Sequence, residues 1–182
     1  VLHLCQPSDR KEFFRGNPLS ERDEAPILIR AAGVEDYPGI RDLFQTPEEL
    51  FRVYPDGEWP FTLEQVERIA KERVDLTVVT AGEKVVGFAN FYRVDGRRSA
   101  FLGNVVIAEA YRGRGLGRAL VERMLKRAFE ERKMEELRLS VFADNTPALL
   151  LYDALGFTPY GLEARTDPQG GKKVLLHMRR CR

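Results

Sequence analysis

The chain has 182 residues, 43% hydrophobic and 31% charged, which suits one globular domain with a tail. Its 29 basic and 28 acidic residues leave a net charge of +1, which gives no bulk attraction to nucleic acid or to an anionic membrane. No apolar run approaches the roughly 18 residues that span a bilayer. Cys5 and Cys181 stand at opposite ends with neither metal-ligand spacing nor a disulfide framework, so a reducing cytoplasm is the expected setting and no metal is expected.

Residues 1–25 are polar and interrupted by Pro7, Gly16 and Pro18. They read as a tail or arm that Phe13 and Phe14 could dock, with the domain proper running over 26–182. Ile27-Leu28-Ile29-Arg30 reads as a first strand. A helix is expected from Glu35-Asp36 through Ile40, Leu43 and Phe44, whose spacing makes one apolar face. Pro47-Glu48-Glu49 resembles a further, short helix start. The stretch from Phe51 to Phe61 is aromatic and turn-rich. Thr62 then caps a helix from Leu63 to about Arg73, with Gln65 completing a capping box.

Leu76–Thr80 and Lys84–Tyr92 form a hairpin about Gly82-Glu83. Asp95-Gly96 turns into a strand ending near Ile107, and an amphipathic helix is expected from Arg118 to about Arg132, with Leu116, Leu120, Val121, Met124, Leu125 and Ala128 as its apolar stripe. Leu137–Val141 alternates as a half-buried strand. Thr146-Pro147 reads as an N-cap and first helical residue, and Gly156 as the helix stop. Two last strands, near Thr158–Ala164 and Lys173–Met178, flank the turn residues Asp167–Gly171. The order βααβββαβαββ, with the 47–49 start left out, describes an α/β sandwich around a mixed sheet.

The run Arg112-Gly113-Arg114-Gly115-Leu116-Gly117 carries the chemistry. It joins a strand to a helix, where the first-turn N–H groups lack internal partners, the helix dipole adds about half a positive charge and glycines admit a phosphate closely. A nucleoside-triphosphate loop would need a Lys-Ser or Lys-Thr after the glycines. A dinucleotide fold would need Gly-x-Gly-x-x-Gly and an acid ending the next strand, whereas Glu135 and Glu136 precede it. The third reading is acyl-coenzyme A.

The same run fits Arg/Gln-x-x-Gly-x-Gly/Ala. The run Asn145-Thr146-Pro147-Ala148-Leu149-Leu150-Leu151-Tyr152-Asp153-Ala154-Leu155-Gly156-Phe157 fits Asn-x-x-Ala-x-x-x-Tyr-x-x-x-Gly-Phe. On these two motifs the chain resembles the GNAT N-acetyltransferase superfamily over roughly residues 27–180. The resemblance implies a mixed, mostly antiparallel sheet flanked by helices, with fourth and fifth strands splayed at a bulge, for which Gly103 is a suitable position.

It further implies that acetyl-CoA is the cosubstrate. Its pantetheine arm would pair at Val105, Val106 and Ile107. Its pyrophosphate would lie on Arg112, Gly113, Arg114, Gly115, Leu116, Gly117 and Arg118, and Asn145 would hydrogen-bond the cofactor. The Val106 region is the expected oxyanion donor. Tyr152 is expected to assist thiolate departure, and Asn104 to orient the amine. Tyr54, Trp59 and Phe61 would wall the acceptor site.

The function implied is transfer of an acetyl group to a primary amine, small-molecule or peptide, by direct attack. The alternative is a non-catalytic acyl-CoA sensor of the same fold. Nucleic acid and membrane are not expected partners, and both a monomer and a homodimer remain open. The base is not identified, since many relatives carry a strand glutamate where this chain has Gly103 and Asn104. Glu109 reads as a solvated carboxylate, and Asp56 and Glu58 are further candidates. His3 and His177 have no partners at ligand spacing, so a catalytic histidine is not expected.

Overall fold

The computed structural model describes residues 25–182, so the expected arm with Phe13 and Phe14 lies outside the described residues apart from Ala25. Seven strands form one sheet: β1 (Ile27–Ala31), β2 (Val74–Ala81), β3 (Lys84–Asp95), β4 (Ser99–Ile107), β5 (Glu136–Phe142), β6 (Thr158–Thr166) and β7 (Lys172–Cys181). Their spatial order is β1-β2-β3-β4-β5-β7-β6. Every pairing is antiparallel except β4 with β5. That pair is joined by the crossover helix α4 (Leu116–Lys126), as a parallel connection requires.

Three helices precede the hairpin: α1 (Tyr37–Arg41), α2 (Pro47–Val53) and α3 (Leu63–Glu72). The helix expected through Phe44 ends at Arg41, yet Ile40, Leu43 and Phe44 are all buried as the spacing requires. The short start at Pro47 is a complete helix, with Thr46 Oγ1 accepting from the Glu49 amide, and it takes Phe51 to Val53 out of the turn-rich stretch. Thr62 caps α3 by accepting from the Gln65 amide. The Gln65 side chain departs from a capping box. It bonds Glu58 N–H and C=O at 3.0 and 2.9 Å and Pro60 C=O at 3.1 Å, tying the 58–60 loop to the helix.

The sheet separates two cores. One packs α4 and α5 (Thr146–Ala154) on Val79, Phe91, Leu102, Leu137 and Leu139. The other packs α1 to α3 on Val78, Phe88 and Val106. Along β4, Ala100 and Leu102 face the α4 core, whereas Val106 faces the other one. Even-numbered residues therefore change sides, which an uninterrupted strand forbids. The change occurs at a bulge between the pairs Asn90↔Gly103 and Phe88↔Val106. The strained backbone belongs to Asn104, at φ +53°, and not to Gly103. Asparagine tolerates the left-handed region that a bulge of this kind demands.

The expected helix from 118 to 132 begins two residues earlier and is α-helical only to Lys126. Residues Arg127–Glu131 form a π turn, with Arg132 N–H bonding the Arg127 carbonyl. The wider turn brings Arg127 and Arg132 onto the one buried carboxylate of Asp75. At α5 the cap shifts by one residue. Asn145 Oδ1, not Thr146, accepts from the Ala148 amide at 3.3 Å, and Gly156 stops the helix at φ +80°.

Candidate active site

β4 and β5 pair only over Ser99–Phe101 and Glu136–Arg138, then diverge. The gap opens into a cavity of about 550 Å³. One end meets the turn into α4, the middle meets β4 and Tyr152, and the other end reaches α2, α3, β6 and β7.

At the first end, Gly113 and Gly115 take φ +75° and +80°. A side chain at either would be strained there. Gly115 is the helix N-cap, and its carbonyl accepts from the Ala119 N–H at 3.1 Å. The N–H groups of Leu116, Gly117 and Arg118 are therefore the orphan donors of the first turn. Arg112, Gly113, Leu116 and Gly117 line the cavity, while Arg114, Gly115 and Arg118 stand outside its lining.

Arg112 does not lean freely over the seat. Its Nε bonds the Ile107 carbonyl at 2.9 Å and its guanidinium pairs with Glu49 at 3.2 Å. Arg114 lies over the Tyr111 ring, and Arg118 pairs with Glu122 one turn on. The turn thus presents main-chain donors to the cavity, with these side chains engaged elsewhere.

In the middle, Ala108 N–H bonds the Val86 carbonyl and Val106 stands opposite Phe88. By the alternation of an antiparallel ladder, Val106 directs its main chain at β3 and Ile107 directs its own at the gap. The side chain of Val106 is buried in the α1–α3 core, and it is Val105 and Ile107 that line the cavity. Tyr152 is 6% exposed, lines the cavity and meets Phe157 edge-on at 5.8 Å. Burial pushes its hydroxyl well above the ordinary phenol value, so it stays protonated. Asn145 also lines the cavity, with Oδ1 committed to the α5 cap.

The acceptor end holds Arg73, which the sequence reading passed over as a helix terminus. Its guanidinium bonds Oδ1 of Asn104 and, at 3.2 Å, Oδ1 of Asn90. It lies 5.0 and 4.7 Å from the rings of Tyr54 and Tyr92. Among the described residues no carboxylate pairs with it. Asn90 Nδ2 also donates to Asn104 Oδ1, at 3.0 Å. Asn104 is 3% exposed, and its Nδ2 has no partner among the described residues. A Cβ at Gly103 would come within 2.8 Å of the Tyr92 ring and 2.9 Å of Arg73. The strand acid of the resemblance therefore has no room at 103.

Of the three aromatic wall residues, only Tyr54 reaches the cavity. Phe61 turns inward, meeting Phe44 at 5.1 Å and Tyr54 at 6.3 Å. Trp59 is left outside and 46% exposed, because Gln65 binds the main chain on either side of it. Asp56 lines the cavity mouth 3.5 Å from Arg165, and Glu109 lies exposed in a 3-10 turn.

Against the expectation for His177, the fold gives it two partners. Ser140 Oγ is 2.8 Å from its Nδ1, and Glu163 is 3.4 Å from its Nε2. All three residues line the cavity. The sequence signal was slight: Ser140 is polar on a strand whose alternate residues Leu137, Leu139 and Val141 are buried.

The profile of the acetyltransferase (GNAT) family matches residues 38–157. The chain is 27% identical over 147 residues to the thialysine N-epsilon-acetyltransferase of Bos taurus, covering 79% of this chain and 84% of that one. It is 24% identical over 95 residues to an uncharacterized SPbeta prophage-derived N-acetyltransferase of Bacillus subtilis (strain 168), covering 52% of this chain and about half, 54%, of that protein's length. In fold it is similar to the spermidine N-acetyltransferase of Vibrio cholerae in complex with CoA and spermine. That likeness has a TM-score of 0.72 at 21% identity and covers 85% of this chain and 95% of that one.

Proposed function

The chain belongs to the acetyltransferase (GNAT) family, and on that footing we propose that residues 26–182 form an acetyl-CoA-dependent N-acetyltransferase acting on a primary amine. The observation that carries the reading is continuity. A single cavity touches the glycine turn, the freed edge of β4, Tyr152 and the polar cluster around Arg73. A bound cosubstrate and an acceptor approaching from the other end meet within it.

The residues fit acetyl-CoA. The positive-φ glycines and the free first-turn amides suit a diphosphate, and the main chain of Ile107 offers peptide-like pairing to a pantetheine arm. When bound, acetyl-CoA supplies an activated acyl carbon. A main-chain N–H on the gap side of β4, and not that of Val106, which faces β3, is the donor for its carbonyl oxygen. Tyr152 donates a hydrogen bond to the sulfur. Its raised pKa lies above that of a thiol, about 8.5, so it stabilises a departing thiolate as a donor without giving up its proton. Asn104 has its oxygen engaged by Arg73 and Asn90, so it positions Arg73 beside the path of the acceptor.

That placement bears on the acceptor. Arg73 is contacted by neutral amides and aromatic faces, while Arg93, Asp56 and Glu163 also stand on the cavity lining. Arg73, which no carboxylate among the described residues pairs with, offers a partner to an amine that also carries a carboxylate. The reaction is placed in the cytoplasm, where acetyl-CoA is supplied. Among the described residues no helix is long and apolar enough to cross a membrane.

The test is thiol release from acetyl-CoA across an amine panel, with mass-spectrometric detection of product. Amine-dependent release with a product heavier by one acetyl group is expected. Tight acetyl-CoA binding without release for any amine would replace the enzyme by an acyl-CoA sensor.

A further inference from the structure

We propose that Ser140, His177 and Glu163 form the route by which the attacking amine nitrogen loses its proton, an inference that rests on the acetyl-transfer reading. β4 carries no carboxylate facing the cavity, and Asn104 cannot take a proton. β7 lies between β5 and β6, and its register sets His177 opposite both Ser140 and Gly161. Glu163, two residues past Gly161, stands on the same side of β6. The chain of contacts runs from the cavity outward: Ser140 Oγ to His177 Nδ1 at 2.8 Å, then His177 Nε2 to Glu163 at 3.4 Å. The ring is 21% exposed and the carboxylate 41%, so the far end opens to water.

The partners assign the tautomer. A carboxylate only accepts, so in the neutral ring Nε2 carries the hydrogen, and Nδ1 is the lone pair that receives the Ser140 hydroxyl. The Ser140 oxygen has two lone pairs; the Tyr92 hydroxyl lies against one side of it, and the second lone pair serves a donor in the cavity. Tyr160 stacks on the imidazole at 5.9 Å and 27°, fixing its plane.

The charged and titratable groups facing the ring, directly or through Tyr160, are Glu163, Arg165 and Tyr160 of β6, Arg138 of β5 and Arg179 of β7, and Tyr92 of β3 meets the relay at Ser140. Arg165 is paired with Glu163 at 2.6 Å and Arg138 with Glu136. Arg179 lies 3.6 Å from Glu136. Glu163 is the one carboxylate against the ring.

In the step, the nitrogen lone pair is drawn to the acyl carbon and the N–H bond becomes acidic. That bond breaks with its electron pair kept on nitrogen. Its proton passes to Ser140 Oγ, the Ser140 proton passes to His177 Nδ1, and the thioester C–S pair leaves on sulfur. The imidazolium is stabilised by Glu163 and returns its proton to solvent.

The experiment measures kcat/KM against pH for the wild type, His177→Gln, Ser140→Ala and the double variant, using an amine that the wild type acetylates. Acetyl-CoA affinity by calorimetry serves as the control for folding. Each single variant is expected to lose about 10²-fold in kcat/KM at neutral pH, with acetyl-CoA affinity kept within about twofold. The double variant should lose no more than either single one, because the residues act as one unit. Wild-type log kcat/KM should rise more steeply with pH on the acid side than that of the variants, because the relay adds a proton acceptor to the amine itself. His177→Gln with the wild-type rate and slope overturns the relay while leaving acetyl transfer in place. A wild type that acetylates no amine overturns the acetyl-transfer reading, and the relay with it.

Discussion

The oxygen of Asn104 accepts from the guanidinium of Arg73 and from Asn90 Nδ2, so the amide buried at the β4 bulge holds Arg73 in place at one end of the cavity. Asn90, fully buried behind it, accepts from the same guanidinium, and Arg73 is the charged group the trio leaves on the cavity lining.

Arg73→Ala should therefore act on acceptor choice. For an amine bearing a carboxylate, kcat/KM should fall about tenfold to a hundredfold, the value of a hydrogen bond to a charged group at about 1.5–3 kcal/mol. The amide or ester of the same amine should fall much less. Steady-state kinetics on such a pair checks this, and an equal loss on both would remove the carboxylate preference.

Tyr152→Phe keeps the buried ring and removes only the hydroxyl. A fall in kcat of about tenfold to a hundredfold is expected, with acetyl-CoA affinity changed less than about twofold. Because burial raises its pKa, Tyr152 should contribute no alkaline limb to kcat below about pH 10. Unchanged kcat in the variant would take the hydroxyl out of the reaction.

At Gly117 an added Cβ would find only ordinary contacts, Ile107 and Leu151 at 3.8 Å. Gly117→Ala should leave the melting temperature unchanged or slightly higher. Gly117→Asp should fold as well and, on the proposed seating of the diphosphate, lower acetyl-CoA affinity at least about tenfold by adding a carboxylate beside it. By contrast Gly115→Val, at φ +80°, should lose about 1–2 kcal/mol of stability through strain alone. Calorimetric affinity and thermal melting separate the two effects, and undiminished affinity in Gly117→Asp would move the cofactor elsewhere.

Asp36 is buried beneath the start of α1. The hydrogen bond from Arg30 holds its carboxyl below the usual carboxylate range; burial opposes this, and the Gly33 N–H adds to the lowering. A depressed folded pKa contributes stability that is present above the unfolded value of about 3.9 and lost as pH falls through the folded one. Asp36→Asn should cost about 1–2 kcal/mol at pH 7, toward the low end because Arg30 remains partly solvated. Urea unfolding at pH 7 and pH 3 should show the difference between the two proteins shrinking on acidification. A gap that stays constant with pH would contradict the assignment.

Much of the fold was legible because its signals are local. The glycines of 113–117 mark a turn that only positive φ permits, and Thr62, Pro47 and Gly156 mark helix ends by their own backbone preferences. Small errors arose where two local residues competed: Asn145 outcompeted Thr146 for the cap, and Gln65 found loop main chain in place of its own N-terminus. The bulge was expected at Gly103 because glycine bends easily. The strain sits on Asn104, since Gly103 is needed for clearance beneath Tyr92 and Arg73.

By itself the sequence determined an α/β sheet, a glycine turn leading from β4 into α4, and a tyrosine on the helix after β5. Each of those follows from the preferences of neighbouring residues. Only the tertiary structure decided which polar groups face one another in the gap. Arg73, Asn90 and Asn104 converge from three separate segments. Ser140, His177 and Glu163 meet because β7 inserts between β5 and β6. Strand order and register set those distances, and both arise from packing across the whole sheet, which no local pattern encodes.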